Sequence, residues 1–121
     1  MSVHQFLLDE NVNPFLQEAL HRNSPGMVVW LVGDPGAPRL GTLDPEILLW
    51  CEVHSFSLVT NNRSSMPVHL QEHLSTEHHV PGIFILNPKM SFAKTVDELA
   101  LLWGASDLEE YADMINYLPL E

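Results

Sequence analysis

The fold class this sequence predicts is α/β: a three-layer α/β/α domain around a mostly parallel, four-stranded sheet. Three observations predict it. Short apolar runs alternate along the chain with segments whose apolar residues recur at helical spacing. The runs are nearly continuous rather than polar–apolar alternating, as in strands buried on both faces of a parallel sheet. No linker, internal repeat or low-complexity stretch divides the alternation, so residues 1–121 form one domain, with its core at about 5–103.

The elements follow in order. The first strand is Gln5 to Asp9. Asn13 is a good helix N-cap, Pro14 suits the first helical position, and Phe15, Leu16, Ala19 and Leu20 line one face. Asn23-Ser24-Pro25-Gly26 ends that helix, and the run Met27–Val32 is a second strand buried on both sides. Gly33 to Thr42 is a loop that leaves a strand's carboxyl end and carries Asp34 and Arg39, and such loops often line sites. Asp44 caps the second helix ahead of Pro45, with Ile47, Leu48, Cys51 and Trp50 inward. Phe56–Thr60 is the third strand. The third helix runs from about Met66 to Glu77, capped by Ser64 or Ser65, with Met66, Leu70 and Leu74 as its stripe. Pro81-Gly82 leads to the fourth strand, Ile83–Leu86, and Asn87-Pro88 turns the chain. Ser91 caps a fourth helix with Phe92, Val96, Leu99, Ala100 and Trp103 inward, and Gly104 stops it. Ser106-Asp107-Leu108-Glu109 fits a capping box for a fifth helix over about 106–116, with Leu108, Tyr111, Ala112 and Ile115 as its face. Residues 117–121 are a tail.

Composition narrows the function. No apolar run approaches the ~18 residues of a membrane span, and the opening Met1-Ser2-Val3-His4-Gln5 carries no basic region or cleavage pattern. The single cysteine, Cys51, has no internal partner and reads as a buried thiol. A cytoplasmic protein is expected, with no membrane partner. Sixteen acids against five Lys and Arg give a net charge of −11. Such a surface disfavours RNA or DNA and suits a basic protein partner or bound cations, although plain solubility explains it equally well.

Two strand tips concentrate polar groups: Asp9-Glu10-Asn11 and Thr60-Asn61-Asn62-Arg63. In a parallel sheet both lie on the carboxyl edge, where ligands sit at a topological switch point. Asp44 or Glu46, at the start of the second helix, reaches the same edge. Carboxylates gathered there suit a hard divalent cation that activates water and screens phosphate.

The phrases Leu7-Leu8-Asp9-Glu10-Asn11, Asp44-Pro45-Glu46-Ile47-Leu48 and Leu58-Val59-Thr60-Asn61-Asn62-Arg63 together resemble the PIN-like domains, and more narrowly the small bacterial PIN-like proteins of toxin–antitoxin settings. The resemblance covers roughly residues 5–87. It implies a Mg²⁺- or Mn²⁺-dependent ribonuclease, an antitoxin-like partner and a homodimer. Asp9 matches the family's first acid and Asp44 the second, with Glu46 as a substitute. Asn62 stands where the family has an aspartate, and Ser64 where a further acid is usual. The implied metal ligands are then Asp9, Glu10, Asp44 and Glu46, and the implied catalytic set is Asp9, Asp44, Asn62 and Arg63. The loss of two carboxylates weakens the expected nuclease. The rival reading is a non-catalytic protein-interaction module on the same fold.

Each feature also has a plainer reading. Asp9-Glu10 can be a solvated turn and Asp44 an ordinary cap. The Asn pair can be a left-handed turn, and Arg63 can pair with Asp9 in place of a metal. His69 and His73, four apart on one helix, can bind a transition metal or simply flank the apolar stripe. Trp30, Trp50 and Trp103 are expected in the core, and Tyr111 and Tyr117 at an interface. The serines show no nucleophile partner in the pattern. A phosphotransfer receiver needs an aspartate at the third strand's tip, where this chain has asparagines.

Overall fold

In a computed structural model the described residues are 3–120. The strands are β1 (Phe6–Leu8), β2 (Val29–Leu31), β3 (Ser57–Thr60), β4 (Ile83–Ile85) and β5 (Ile115–Tyr117). The helices are α1 (Phe15–Asn23), α2 (Asp44–His54), α3 (Met66–Ser75) and α4 (Phe92–Ala105), with a 3-10 turn at Leu108–Tyr111. All five strands are parallel, in the order β2-β1-β3-β4-β5. The chain leaves β1 to one side for β2 and returns to the other side for β3. The switch point is therefore between β1 and β3, where a crevice is expected at the carboxyl ends.

Alternation along these short strands sorts the core into two layers. Phe6, Leu8, Val59 and Phe84 face α1 and α4, meeting Leu16, Leu20, Val96, Leu99 and Leu102. Leu7, Leu58, Ile83 and Ile85 face α2 and α3, meeting Ile47, Leu48, Cys51, Met66 and Leu70. Phe6, Phe84 and Leu7 are fully buried, and each such side chain contributes about 1.5–3 kcal/mol by leaving water.

Because α4 packs beside α1, the β4–β5 connection crosses the opposite sheet face from the β2–β3 and β3–β4 connections, although it steps the same way. It therefore has the opposite hand from the other three, a rare arrangement in parallel sheets. The apolar face left beside α1 by Phe6 and Phe84 supplies the reason: α4 is the cover for it.

Several expectations are corrected. The sheet has five strands, not four, because Ile115–Tyr117 pairs with β4 instead of closing a fifth helix. The capping box at its start does form, through Asp107 and Glu110, with Asp107 N donating to Glu110 Oε1 at 2.9 Å. It supports only one 3-10 turn. Asp113, at φ 63°, then turns the chain, and it exchanges bonds with Val80 in the loop ahead of β4. Pairing with a free strand edge outweighs a short isolated helix. Gly104 does not stop α4, which runs through it to Ala105. Asp44 is the first helical residue of α2, after Leu43 as cap. Strand β2 lies at the sheet's edge, and Trp30 and Leu31 are only half-buried. The inward positions assigned to Phe15, Phe92 and Leu74 are exposed, because the faces of α1, α3 and α4 that meet the sheet are narrower than the periodic pattern suggests.

Candidate functional site at the carboxyl edge

The turn after β1 places Asp9 beside the end of β3. Asp9 N donates to Val59 O, which extends the pairing of the two strands by one bond. The Asp9 carboxylate is buried and accepts two bonds: Oδ1 from Glu10 N and Oδ2 from the Thr60 hydroxyl, both at 2.9 Å. Burial pushes this carboxyl above its ordinary value. The Thr60 and Glu10 bonds pull it back, and the Asp44 and Glu10 charges add to the rise.

Thr60 relays the contact outward. Its Oγ1 accepts from Asn62 N at 3.1 Å. The Asn62 Nδ2 group donates to Asp44 Oδ2 at 2.8 Å and to Ser65 Oγ at 2.7 Å, while Asn62 Oδ1 accepts from Ser65 N at 3.1 Å. An unbroken hydrogen-bonded path thus runs Asp9–Thr60–Asn62–Asp44. His69 Nε2 stands 3.7 Å from the same Asp44 oxygen. The structure therefore brings three sequence-predicted residues, Asp9, Asp44 and Asn62, to one edge. Asn62 does not adopt a left-handed conformation, and neither does Asn61. The amide of Asn62 instead ties the loop to α2 and α3, and that of Asn61 donates to Asn11 O at 2.9 Å.

The other candidates are engaged elsewhere. Glu10 accepts from Gly41 N at 2.9 Å, so it clamps the β2–α2 loop. Glu46 is exposed on the first turn of α2. Arg63 lies over the Tyr117 ring, 5.5 Å from its centroid, and no Arg63–Asp9 ion pair exists among the described residues. Asp34 also leaves the site: its Oδ2 accepts from Leu31 N and Gln17 Nε2 at the β2 edge. A hollow of about 250 Å³ opens at the carboxyl side between α1 and α4. Val12, Asn13, Asn61, Asn87 and Met90 line it, and Asp9, Asp44 and Asn62 do not.

At the opposite, amino edge lies a group that could hold a metal ion: Glu52, His73 and His78, whose ligand atoms lie within 4.8 Å of one another. Among the described residues the carboxylates Asp9, Glu10, Asp44 and Glu46 form no such convergent set. The helical pair His69 and His73 is split, since His69 faces Asp44 and His73 faces Glu52. Glu52 had no motif to announce it. The signal for the histidines was the run His73–His78–His79, a helical histidine followed by two in a loop.

A buried serine–histidine contact, His4 Nδ1 to Ser57 Oγ at 3.1 Å, also escaped the sequence pattern. Both residues are fully buried, so no substrate reaches the hydroxyl. Compared with protein-family models, with curated proteins and with solved structures, the chain matches none.

Proposed function

We propose that this chain is a PIN-like domain, related to the metal-dependent ribonucleases of toxin–antitoxin systems, whose carboxyl-edge site has lost its nuclease chemistry. The observation that carries the reading is the Asn62 amide. It lies where the resemblance puts an aspartate, and it reaches Asp44 directly at 2.8 Å. A second carboxylate at that position would repel Asp44 unless a cation lay between them. The amide gives Asp44 a neutral partner instead.

The residues present do not fit a resident Mg²⁺ or Mn²⁺. Hard cations need several free oxygen ligands. Among the described residues Asp9, Glu10, Asp44 and Glu46 bring no three ligand oxygens together: Asp9 is tied to Thr60 and to Glu10 N, Asp44 to Asn62, and Glu10 is turned to Gly41. Arg63, the candidate for contacting substrate phosphate, sits over Tyr117.

A second reading, a protein-interaction module, is favoured by charge. Among the described residues, Glu18 is the one acid paired with Lys or Arg. Most of the described acids thus have no Lys or Arg partner, and with a net charge of −11 the surface steers a basic partner and repels RNA. An antitoxin-like basic protein is the partner of choice, and homodimerisation through the tyrosine-bearing end remains part of this reading.

Calorimetric titration with Mn²⁺, paired with cleavage assays on single-stranded RNA, tests the proposal. The parent protein is expected to show weak or no uptake and no cleavage, and Asn62→Asp to gain at least tenfold in Mn²⁺ affinity. Cleavage by the parent that is lost in Asp9→Ala would overturn the inactive-nuclease reading. No gain in Asn62→Asp would overturn the lapsed metal site.

A further inference from the structure

We infer that Glu52, His73 and His78 form a binding site for a zinc-class transition-metal ion at the amino edge of the sheet. It lies at the far end of the strands from Asp9 and is independent of the function proposed above.

Three separate segments supply the ligands. Glu52 is in the last turn of α2, His73 in the last turn of α3, and His78 in the α3–β4 loop. Glu52 Oε1 stands 2.8 Å from His78 Nδ1 and 3.6 Å from His73 Nε2. Tetrahedral zinc, with bonds of about 2.0–2.1 Å, sets neighbouring ligand atoms about 3.3–3.4 Å apart. The two observed separations bracket that span, and all three ligand atoms lie within 4.8 Å of one another, so side-chain rotation closes the group onto one ion.

The site is also held in place. His79 N donates to Glu52 Oε2 at 2.9 Å, which turns Oε1 toward both imidazoles. Asp113 bonds His79 Nδ1 and Val80 N, each at 2.8 Å, and so pins the loop that carries His78. The two ligand rings stack with centroids 5.0 Å apart. His73 is buried and His78 is partly open, so one side of the group is walled by protein and the other faces solvent. That is the form of a three-ligand site with an open position.

Two imidazoles and one carboxylate select the ion. Imidazole suits zinc, cobalt, nickel and copper, whereas magnesium and calcium prefer all-oxygen sets. In the metal-free protein the His73 Nε2 hydrogen is donated to His79 O at 2.8 Å. Ion uptake requires that proton to move to Nδ1, and the His78 Nδ1 proton that bonds Glu52 to move to Nε2, each by exchange with solvent. Both rings then remain neutral, and the His73 Nε2 and His78 Nδ1 lone pairs turn to the ion.

The test is titration of the metal-free protein with Zn²⁺ by calorimetry and with Co²⁺ by visible absorption. The expected result is one ion per chain at micromolar affinity or tighter, with the intense visible bands of tetrahedral Co²⁺. His78→Ala, at a partly exposed position, and Glu52→Gln should each weaken uptake at least tenfold while far-ultraviolet circular dichroism stays native. His21→Ala should leave it unchanged. No stoichiometric uptake overturns the proposal. So does uptake that survives both His78→Ala and Glu52→Gln, which marks only scattered binding to surface histidines.

Discussion

Asn62 Nδ2 donates to Asp44 Oδ2 at 2.8 Å, and through this bond the loop after β3 is fastened to the first turn of α2. The same side chain accepts from Ser65 N, so it also satisfies one of the free amides at the start of α3. One amide thus stabilises two helix starts, and a carboxylate partner makes its donor bond a strong one.

Removing that amide should be costly. Asn62→Ala is expected to destabilise the protein by about 1–3 kcal/mol, the cost of losing a charge-assisted bond and a helix-start bond together. Urea unfolding followed by circular dichroism measures it. An unchanged midpoint would mean that the loop holds its place without Asn62.

Thr60 gives a second handle on the same path. Thr60→Val keeps the shape but deletes the hydroxyl that donates to the buried Asp9 Oδ2 and accepts from Asn62 N. A loss of about 1–3 kcal/mol is expected, because a buried carboxylate is left short of a partner. Thr60→Ser, which keeps the hydroxyl, should recover most of that loss in the same unfolding assay. Equal losses in the two variants would assign the effect to packing.

His4 predicts a pH dependence. It is fully buried, with Ser57 and Ser106 hydroxyls on its two ring nitrogens, and Phe6, Phe84 and Tyr111 pack around it. Burial holds its pKa below the ordinary 6.5, against the opposing pull of Glu110, Glu109 and Asp107. The folded state thus resists a proton that the unfolded chain accepts. The His4 contribution is fully present above about pH 6.5 and is lost as pH falls toward the lowered folded value. In His4→Phe that share of the fall should vanish, so the stability gap between parent and variant narrows on acidification. Chemical unfolding at several pH values from neutral downward checks this, and parallel curves would refute it.

Strand β2 is an exposed edge whose outward backbone groups are capped by side chains. Gln17 Nε2 donates to Val29 O at 2.9 Å, and Leu31 N donates to Asp34 Oδ2 at 2.8 Å. Uncapped edges invite pairing with another chain. The double variant Gln17→Ala, Asp34→Ala should sediment as larger species than the parent at equal concentration. An identical sedimentation profile would show that the half-buried Trp30 and the adjoining loop protect the edge unaided.

The sequence by itself determined the class of fold and the sheet edge at which Asp9 and Asn62 gather. Phe6–Leu8, Leu58–Val59 and Ile83–Ile85 are continuous apolar runs, and only a sheet covered on both faces buries them. Strand tips that end in Asp9 and Asn62 must then meet wherever β1 and β3 are neighbours. Local patterning carries this much because each run has one low-energy way to leave water. Tertiary structure alone decided the rest. Ile115–Tyr117 became a strand because β4 offered an unpaired edge, a partner invisible to local propensity. The Asn62 amide faced Asp44, and Arg63 chose the Tyr117 ring over Asp9, because side-chain partners are settled by distances across elements. Glu52, His73 and His78 met only because α2 and α3 pack side by side with their last turns at the same edge. Chemistry assembled from separate helices leaves no spacing in the chain for a motif to record.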